Sequence, residues 1–372
     1  MNSSLDRIHT QILWDRLLAV VEEQAQTLVR TAFSTTVREA GDISAGVFDT
    51  KGRMLAQAVT GTPGHVNAMA ARVGFFLKKF PIDSLHPDDV LLTNDPWYGT
   101  GHLNDFTVIT PVFKNGRPVA LFAATSHIAD VGGLGFGPDG RQVFEEGLNI
   151  PMGYLFKAGE PNEVLLEILR ANVRDPRSAE GDLHSLAACN RAGVHSLLET
   201  LDEFGMDGLD GAGRMIIDNS RKAMLEEIRS LPFGRWTNTM RIDGYEEAVD
   251  LVCSLSISES GIDVDFDGTS PVCSHGINVP LTYTQAYASF GVRCVVGNTI
   301  PNNAGSLAVV RVTAPQGCIL NAPRPAAVSA RHAIGQMLPD VVLGCLEEPL
   351  GGDVPAEGAS CLFGPVFLGG RG

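Results

Sequence analysis

The sequence predicts an α+β fold in which hairpins and mixed sheets pack with long helices. A helical pattern opens the chain, pairs of β-prone runs with tight turns follow, and a mostly helical stretch separates them from further strands. Strands and helices do not alternate regularly, as they do in parallel βαβ folds. We therefore expect layers of helices and hairpins rather than one doubly wound sheet.

The elements can be placed along the chain. Apolar residues at helical spacing predict helices over 5–33 and about 65–80, and β-prone runs around the turn 49–52 predict a hairpin over 43–58. A strand follows residue 89, and the runs FTVITPVF and PVALFAATSH predict a second hairpin with an Asn-Gly turn. The remaining predictions are an ordered glycine-rich loop over 131–153, helices across 162–231, strands over 239–268, a strand over 307–314, and buried helices over 281–297 and 326–347.

Length and composition indicate a well-packed protein. With 372 residues, 44% of them hydrophobic and 19% charged, the chain can bury a sizeable core and is not typical of disordered proteins. We divide it into an N-terminal α/β region over 1–160 with the second hairpin, a helical region over 161–235, and a C-terminal α+β region over 236–372.

Charge and cysteine content narrow the class of partner. The net charge of -15 argues against binding to a phosphate backbone, so we expect no nucleic-acid partner. The first residues do not form a signal peptide, no window is apolar enough for a membrane span, and none of the seven cysteines forms a CxxC pair. We therefore expect a cytoplasmic protein with reduced thiols and no membrane partner.

The second hairpin gathers three side chains of the kind that bind metals. A two-residue Asn-Gly turn sets a register in which Asp105 faces Ser126 and Asn104 faces His127. His102 then lies diagonal to His127, and the glycine-rich turn before Asp105 can bring that carboxylate to the same side. Two imidazoles and a carboxylate suit Mn²⁺, Fe²⁺ or Zn²⁺. Ordinary polar residues at strand ends are the alternative that the residues alone leave open.

Several segments resemble the B subunits of ATP-dependent hydantoinases and oxoprolinases, and the related large subunits of acetone and acetophenone carboxylases. They occur in family order over nearly the whole chain: FSTTVREAGDISAGVFDTKGRMLAQ (33–57), GHVNAM (64–69), LTNDPWYGTGHLNDFTVITPVF (92–113), SHIADVGG (126–133), EEGLNIP (145–151), DFDGTSP (265–271) and IPNNAGSL (300–307). The resemblance implies a hydantoinase B-like fold. It fades after Gly358, so we expect a C-terminally shortened member of the family.

The resemblance implies a metal site and a division of labour between subunits. In the carboxylase relatives an HxxD pair and a later histidine hold the metal, and the matching residues are His102, Asp105 and His127. The cofactor implied here is a divalent metal (Mn, Fe or Zn), with ATP used by a partner, an actin-like ATPase subunit of the hydantoinase A type. That partner phosphorylates an oxygen of the small-molecule substrate, a cyclic amide or a ketone.

Other residues are weaker candidates. We assign catalytic roles to Asp130, which could orient His127 or bind the metal, and to His65, whose family counterpart lies near the site. Arg38, Glu39 and Asp42 could face the substrate, but a solvated ion pair at a helix end is the interpretation we favour. The glycine-rich run 132–137 lacks the lysine and hydroxyl residue of a Walker A motif, so we interpret it as a mobile active-site loop.

Three functions remain open at this point. The leading hypothesis is a metal-bearing B subunit that hydrolyses a cyclic amide after activation by a partner ATPase subunit. The second is an acetone-carboxylase-like large subunit that carboxylates a ketone. The third is a truncated, non-catalytic subunit.

Overall fold

The computed structural model of the chain describes residues 3–358, except for the side chains of residues 3–7 and 66. The end of the predicted C-terminal region, 359–372, lies outside the described residues. The helices are α1 Ser3–Thr31, α2 Thr35–Arg38, α3 Pro63–Lys79, α4 Glu163–Asn172, α5 Pro176–Glu203, α6 Asp210–Arg229, α7 Leu281–Val295, α8 Ala304–Leu307, α9 His332–Gly335 and α10 Leu338–Leu346. The strands are β1 Ile43–Phe48, β2 Met54–Gln57, β3 Val90–Thr93, β4 Asp105–Lys114, β5 Arg117–His127, β6 Gly153–Lys157, β7 Glu160–Pro161, β8 Gly234–Ile242, β9 Val249–Ser258, β10 Gly261–Asp265 and β11 Val310–Thr313.

Seven strands form the larger sheet, in the order β2-β1-β5-β4-β3-β6-β7, with every pair antiparallel. Local turn chemistry sets its two hairpins. Asn115 and Gly116 both adopt positive φ, as the two-residue β4–β5 turn requires. In the β1–β2 turn the Asp49 carboxylate accepts the backbone N–H groups of Lys51 and Arg53.

Helices cover both faces of this sheet. On one face, α1 and α5 bury leucines and alanines against a row of strand residues that includes Val108 and Ala124. On the other face, Met69 and Phe76 of α3 pack on strand residues such as Ile109. The successive residues Val108 and Ile109 therefore enter two different cores, which is the two-residue periodicity of a strand buried on both sides.

The smaller sheet has the order β11-β10-β9-β8. Strands β8, β9 and β10 are antiparallel, whereas β10 and β11 are parallel because α7 connects them. Helices α7 and α10 pack together in the core of this half, and α7 also contacts α3. The α3–α7 contact therefore joins the two halves of the molecule.

The α+β prediction is confirmed, and most predicted elements are present. The predicted single helix over 326–347 is wrong, because the segment starts with an isolated bridge at Ala326 and turns, which the short helices α9 and α10 follow. Pro339 lies in the first turn of α10, where its missing N–H group costs nothing. In the middle of a helix over 326–347 the same proline would have removed a backbone hydrogen bond and interrupted the helix. The sequence analysis also missed the short strands β6 and β7. Of the helices described, none combines the length and apolar composition that crossing a bilayer requires.

The register of the β4–β5 hairpin differs from the prediction. Lys114 does face Arg117, but the pairing shifts between Phe113–Pro118 and Val112–Ala120, which leaves one extra residue in β5. Asp105 therefore faces His127 directly, not Ser126 as predicted.

A fully buried arginine pins the loop that leads into β4. The guanidinium of Arg72 donates to the carbonyls of Thr93, Asp95, Tyr98 and Asp105 and to the hydroxyl of Thr107. Burial lowers the pKa of Arg72 to about 10. Gly99 leaves room for this side chain, since a Cβ atom at that position would lie 1.8 Å from Nε of Arg72. The buried cation thus replaces the hydrogen bonds that a regular element would have made.

We expect Arg72→Met to lower the free energy of unfolding by about 3 kcal/mol or more, because several buried carbonyls lose their donor at once. Urea denaturation of the variant and the wild type measures this. Arg16→Met is the matched control, since Arg16 forms an exposed ion pair with Glu203, and its loss should cost under about 1 kcal/mol. Equal losses in the two variants would contradict the role assigned to Arg72.

Candidate metal centre

Three adjacent strand ends bring acidic and imidazole side chains into one row. Strand β5 lies between β1 and β4, and Asp105 of β4 faces His127 of β5. On the other side, the backbone N–H of His127 donates to the carbonyl of Asp42, one residue before β1. Nδ1 of His127 consequently lies 3.3 Å from Oδ1 of Asp105 and 3.8 Å from Oδ2 of Asp42.

Two further histidines complete the group. His102, in the turn before β4, places Nε2 2.7 Å from Oδ1 of Asp105. His65 lies in the first turn of α3, and its Nε2 is 3.0 Å from Oδ2 of Asp105 and 3.5 Å from Oδ1 of Asp42. The side chain of Asp105 is fully buried and those of His65 and His102 nearly so, whereas Asp42 is partly exposed.

Residues of the C-terminal half hold these side chains in place. Arg331 donates from Nη2 to Oδ2 of Asp105 at 2.9 Å and from Nε to the carbonyl of Thr100 at 2.8 Å. Its guanidinium also lies over the ring of Tyr283 at 4.3 Å. Nδ1 of His102 is 3.2 Å from the Ser329 carbonyl, which favours the tautomer with Nδ1 protonated and Nε2 directed towards Asp105.

The charges of the group follow from burial and from its neighbours. Burial alone would raise the pKa of Asp105, but His102, His65 and Arg331 outweigh it and hold that pKa well below its usual value. Burial and the nearby Arg331 lower the pKa of His102 to about 3, so this imidazole is neutral and has a free lone pair. Burial opposes protonation of His65, yet the carboxylates of Asp105 and Asp42 raise its pKa.

The donor atoms suit a cation. Nε2 of His102 and Oδ1 of Asp105 are buried and, despite their separation of 2.7 Å, do not meet in hydrogen-bond geometry. Together with a ring nitrogen of His127 they lie within 4.8 Å of one another, and the same is true of donor atoms from Asp42, His65 and Asp105. Because buried polar atoms nearly always have hydrogen-bond partners, these two atoms without partners point to a bound ligand. Two nitrogens and one or two carboxylate oxygens around a common point match the ligands of a divalent transition metal.

A phenyl ring covers the group on its open side. Phe136 lies on the glycine-rich loop between β5 and β6, with its ring 5.6 Å from that of His102 and 5.3 Å from that of His127. The same ring stacks on His332 at 5.0 Å with an interplanar angle of 16°. His127 is only 8% exposed as a result, whereas Phe136 itself is 51% exposed.

The structure therefore brings together His65, His102, Asp105 and His127. It does not bring Asp130 into this group. The Asp130 carboxylate instead accepts hydrogen bonds from Gly132 and from the backbone and side chain of Arg174.

Sequence reasoning undervalued or missed several residues of the group. Arg38 and Glu39 do form an exposed ion pair, as the favoured interpretation has it, but Asp42 faces His65 and His127 instead. Asp42 comes immediately before β1, the strand that pairs with β5, and this position is what could have marked it as a site residue. Arg331 and His332 were hidden in a segment predicted to be a buried helix. Phe136 lies in the run 132–137, which the sequence predicts to be a mobile active-site loop.

A buried glutamate supports the segment that orients His102. Oε1 of Glu146 accepts the backbone N–H groups of Val328 at 2.6 Å and Ser329 at 2.7 Å, and the Ser329 carbonyl in turn contacts His102. Burial raises the pKa of Glu146 to about 7, although these two N–H groups oppose the shift. Glu146 belongs to the segment EEGLNIP, which the sequence analysis quoted without assigning it a role.

The fold and this group define the chain as an α+β protein with a candidate metal centre of histidines and carboxylates. The sequence profile of the hydantoinase B/oxoprolinase family matches residues 6–371, and the chain belongs to that family. The match continues beyond Gly358, where we expected the resemblance to fade.

Three known proteins illustrate the similarity. The B subunit of a D-/L-hydantoinase of Pseudomonas sp. (strain NS671), so named on a provisional basis, is 26% identical over 92% of this chain and 62% of its own length. The nucleotide-free structure of an acetone carboxylase, described in connection with ATP-dependent acetone carboxylation, superposes with a TM-score of 0.86 at 18% identity, over 93% of this chain and 48% of that one. An ATP-dependent caprolactamase from Pseudomonas jessenii gives a TM-score of 0.84 at 24% identity, over 92% of this chain and 60% of that one.

These structural similarities establish the fold. The chain spans less than two thirds of the length of the curated relatives that match it first, between 32% and 66%.

We expect Glu146→Gln to change how stability depends on pH. Because the pKa of Glu146 is raised from 4.5 to about 7, the native protein binds more protons than the unfolded chain between these values, and wild-type stability falls as the pH rises through this window. The variant cannot ionise and should gain on the order of 2 kcal/mol relative to wild type between pH 5 and pH 8.

Urea denaturation at pH 5 and pH 8 measures this difference. Glu145→Gln is the control, because Glu145 is the neighbouring glutamate and is exposed to solvent. Parallel pH dependences for Glu146→Gln and wild type would contradict the burial of an ionisable carboxyl group at this position.

Proposed function

We propose that this chain is the metal-binding B subunit of an ATP-dependent hydantoinase or oxoprolinase, and that it hydrolyses a cyclic amide with a partner ATPase of the hydantoinase A type. The observation that carries the proposal is the convergence of His102, Asp105 and His127 at a buried point, where Nε2 of His102 and Oδ1 of Asp105 lack hydrogen-bond partners. Asp42 is a further ligand candidate, because it lies within reach of His127 and His65. Mn, Fe and Zn are the candidate metals, and the metal analysis described below decides among them.

The residues of the centre have separable tasks in this proposal. A divalent cation held there supplies Lewis acidity, which stabilises negative charge on a substrate oxygen. His102 enters as a neutral imidazole whose orientation the Ser329 carbonyl sets. Arg331 holds one oxygen of Asp105 and leaves the other facing the histidines. His65 lies between the two carboxylates and offsets part of their charge.

A partner ATPase fits the chemistry of the substrate. A resonance-stabilised cyclic amide is a poor electrophile, and phosphorylation of its oxygen makes its carbon more open to attack by water, which precedes cleavage of the C–N bond of the ring. The family includes oxoprolinases, a similar protein is named as the B subunit of a hydantoinase, and a structural neighbour is an ATP-dependent caprolactamase. We propose that activation takes place in the partner and ring opening at the centre described above.

A second candidate is the carboxylation of a ketone, as in an acetone-carboxylase-like large subunit. The similarity to an acetone carboxylase over 93% of this chain supports it. The same imidazole and carboxylate groups could serve either reaction, so the substrate decides between them.

We expect the purified chain to carry close to one equivalent of a divalent metal, and His127→Ala to reduce its metal affinity by at least about tenfold. Plasma mass spectrometry after dialysis against a weak chelator measures both. His195→Ala is the matched control, because His195 is an exposed histidine of α5 away from the centre. Equal metal content in wild type and His127→Ala, with both folded, would remove the basis of the proposal.

We expect the chain combined with an A-type ATPase subunit to open hydantoin or 5-oxoproline only when ATP is present. Chromatographic detection of the ring-opened product measures this, with His127→Ala in the same mixture as the control. Turnover of acetone that depends on bicarbonate, without ring opening, would favour the carboxylase instead. ATP hydrolysis by the chain alone would contradict the division of labour.

A further inference from the structure

The phenyl ring of Phe136 occupies a slot of its own shape beside the candidate metal centre. One wall is the imidazole of His332, which lies nearly parallel to the phenyl ring at 5.0 Å and 16°. The other walls are the rings of His102 and His127, inclined to it at 70° and 86°. Three imidazoles, two of them metal-ligand candidates, thus surround one apolar ring.

The loop that carries Phe136 holds this ring by few contacts. Gly132, Gly133 and Gly135 adopt positive φ, which L-residues with a side chain rarely do. Around Phe136 in the described chain, Leu134 N–H donates to the Glu145 carbonyl, Gly137 N–H donates to the Ser329 hydroxyl, and the Pro138 carbonyl accepts the N–H of Gly276. Phe136 itself remains 51% exposed between these anchors. The ring can therefore leave the slot by a local rearrangement of the loop.

An apolar ring is a poor permanent occupant of this place. Nδ1 of His332 is buried without a hydrogen-bond partner among the described residues. A flat molecule with polar edges would keep the stacking contact and add polar contacts that the phenyl ring cannot make.

We propose that Phe136 fills the slot in which the flat ring of a cyclic amide or imide binds, stacked on His332 and edged by His102 and His127. This rests on the proposed function for the class of substrate. Phe136 is then a gate that leaves when the substrate enters, and His332 is the surface on which a flat ring stacks.

The gate can be tested without turnover. The full chain is loaded with Co²⁺, and the rate at which dipicolinate removes the ion is followed by visible absorption. Phe136→Ala should speed removal several-fold, because the ring shields His102 and His127. Leu134→Ala is the matched control, since Leu134 lies on the same loop, is 62% exposed and has no aromatic ring to stack on the histidines. Equal removal rates for Phe136→Ala, Leu134→Ala and wild type would overturn the gate.

The slot is tested by titrating hydantoin, with benzene as the comparator, into the Co²⁺-loaded chain. Hydantoin should perturb the Co²⁺ spectrum of the wild type and bind more tightly than benzene. Phe136→Ala should strengthen hydantoin binding, and His332→Leu should weaken it, each by roughly threefold to tenfold for one stacking contact. Weaker binding in Phe136→Ala would show that the phenyl ring is a wall for the substrate, and would overturn the proposal. A Co²⁺ spectrum of the wild type that does not change when hydantoin is added would also overturn the proposal.

These outcomes are separate from those of the proposed function. Hydantoin binding that follows the expected order of variants, without ring opening by the two-subunit mixture, would retain the slot and refute the hydrolase. Ring opening with the same KM in wild type, Phe136→Ala and His332→Leu would retain the hydrolase and refute the slot.

Discussion

The rest of the site depends on one carboxylate that has no contact with solvent. A buried Asp105 stays ionised only if nearby cations and hydrogen-bond donors replace the water it has lost. Those groups come from distant parts of the chain: His65 from the start of α3 and Arg331 from the C-terminal half. Because Arg331 lies 226 residues from Asp105, the site forms only when both halves of the molecule have packed together.

The need to give buried polar groups new partners also explains how two loops near the site are held without regular secondary structure. The loop before β4 lacks regular hydrogen bonding, and Arg72 supplies the missing donors where Gly99 leaves space for it. The segment around Ser329 has no helix or strand to hold it, and the carboxyl group of Glu146 binds its N–H groups. Both are buried ionisable residues in structural roles. Each loop that approaches Asp105 is thus fixed by long-range polar contacts rather than by propensity.

Sequence reasoning succeeded where the determinants are local and failed where they are not. The hairpins, the long helices and the α+β class follow from periodicity and turn residues, and the family motifs pointed to His102, Asp105 and His127, whose side chains the structure places together. The register failed because of one extra residue in β5. Its signal was Pro118, since a proline in a central strand cannot donate to the ladder and is typical of a bulge. Arg331, by contrast, could not be found from spacing, because its segment reaches Asp105 through long-range contacts, among them the packing of α7 against α3 and the hydrogen bonds to Glu146.

The two oxygens of Asp105 have different partners, and this bears on what the proposed cation could do. Oδ2 is held by Arg331 and His65, whereas Oδ1 faces His102 and His127. Arg331 would repel a cation placed on its own side, so Oδ1 and the two imidazoles are the groups that would hold one. A cation held there would supply Lewis acidity to a substrate oxygen. The arginine that stabilises the buried carboxylate therefore also decides which side of it is free for chemistry.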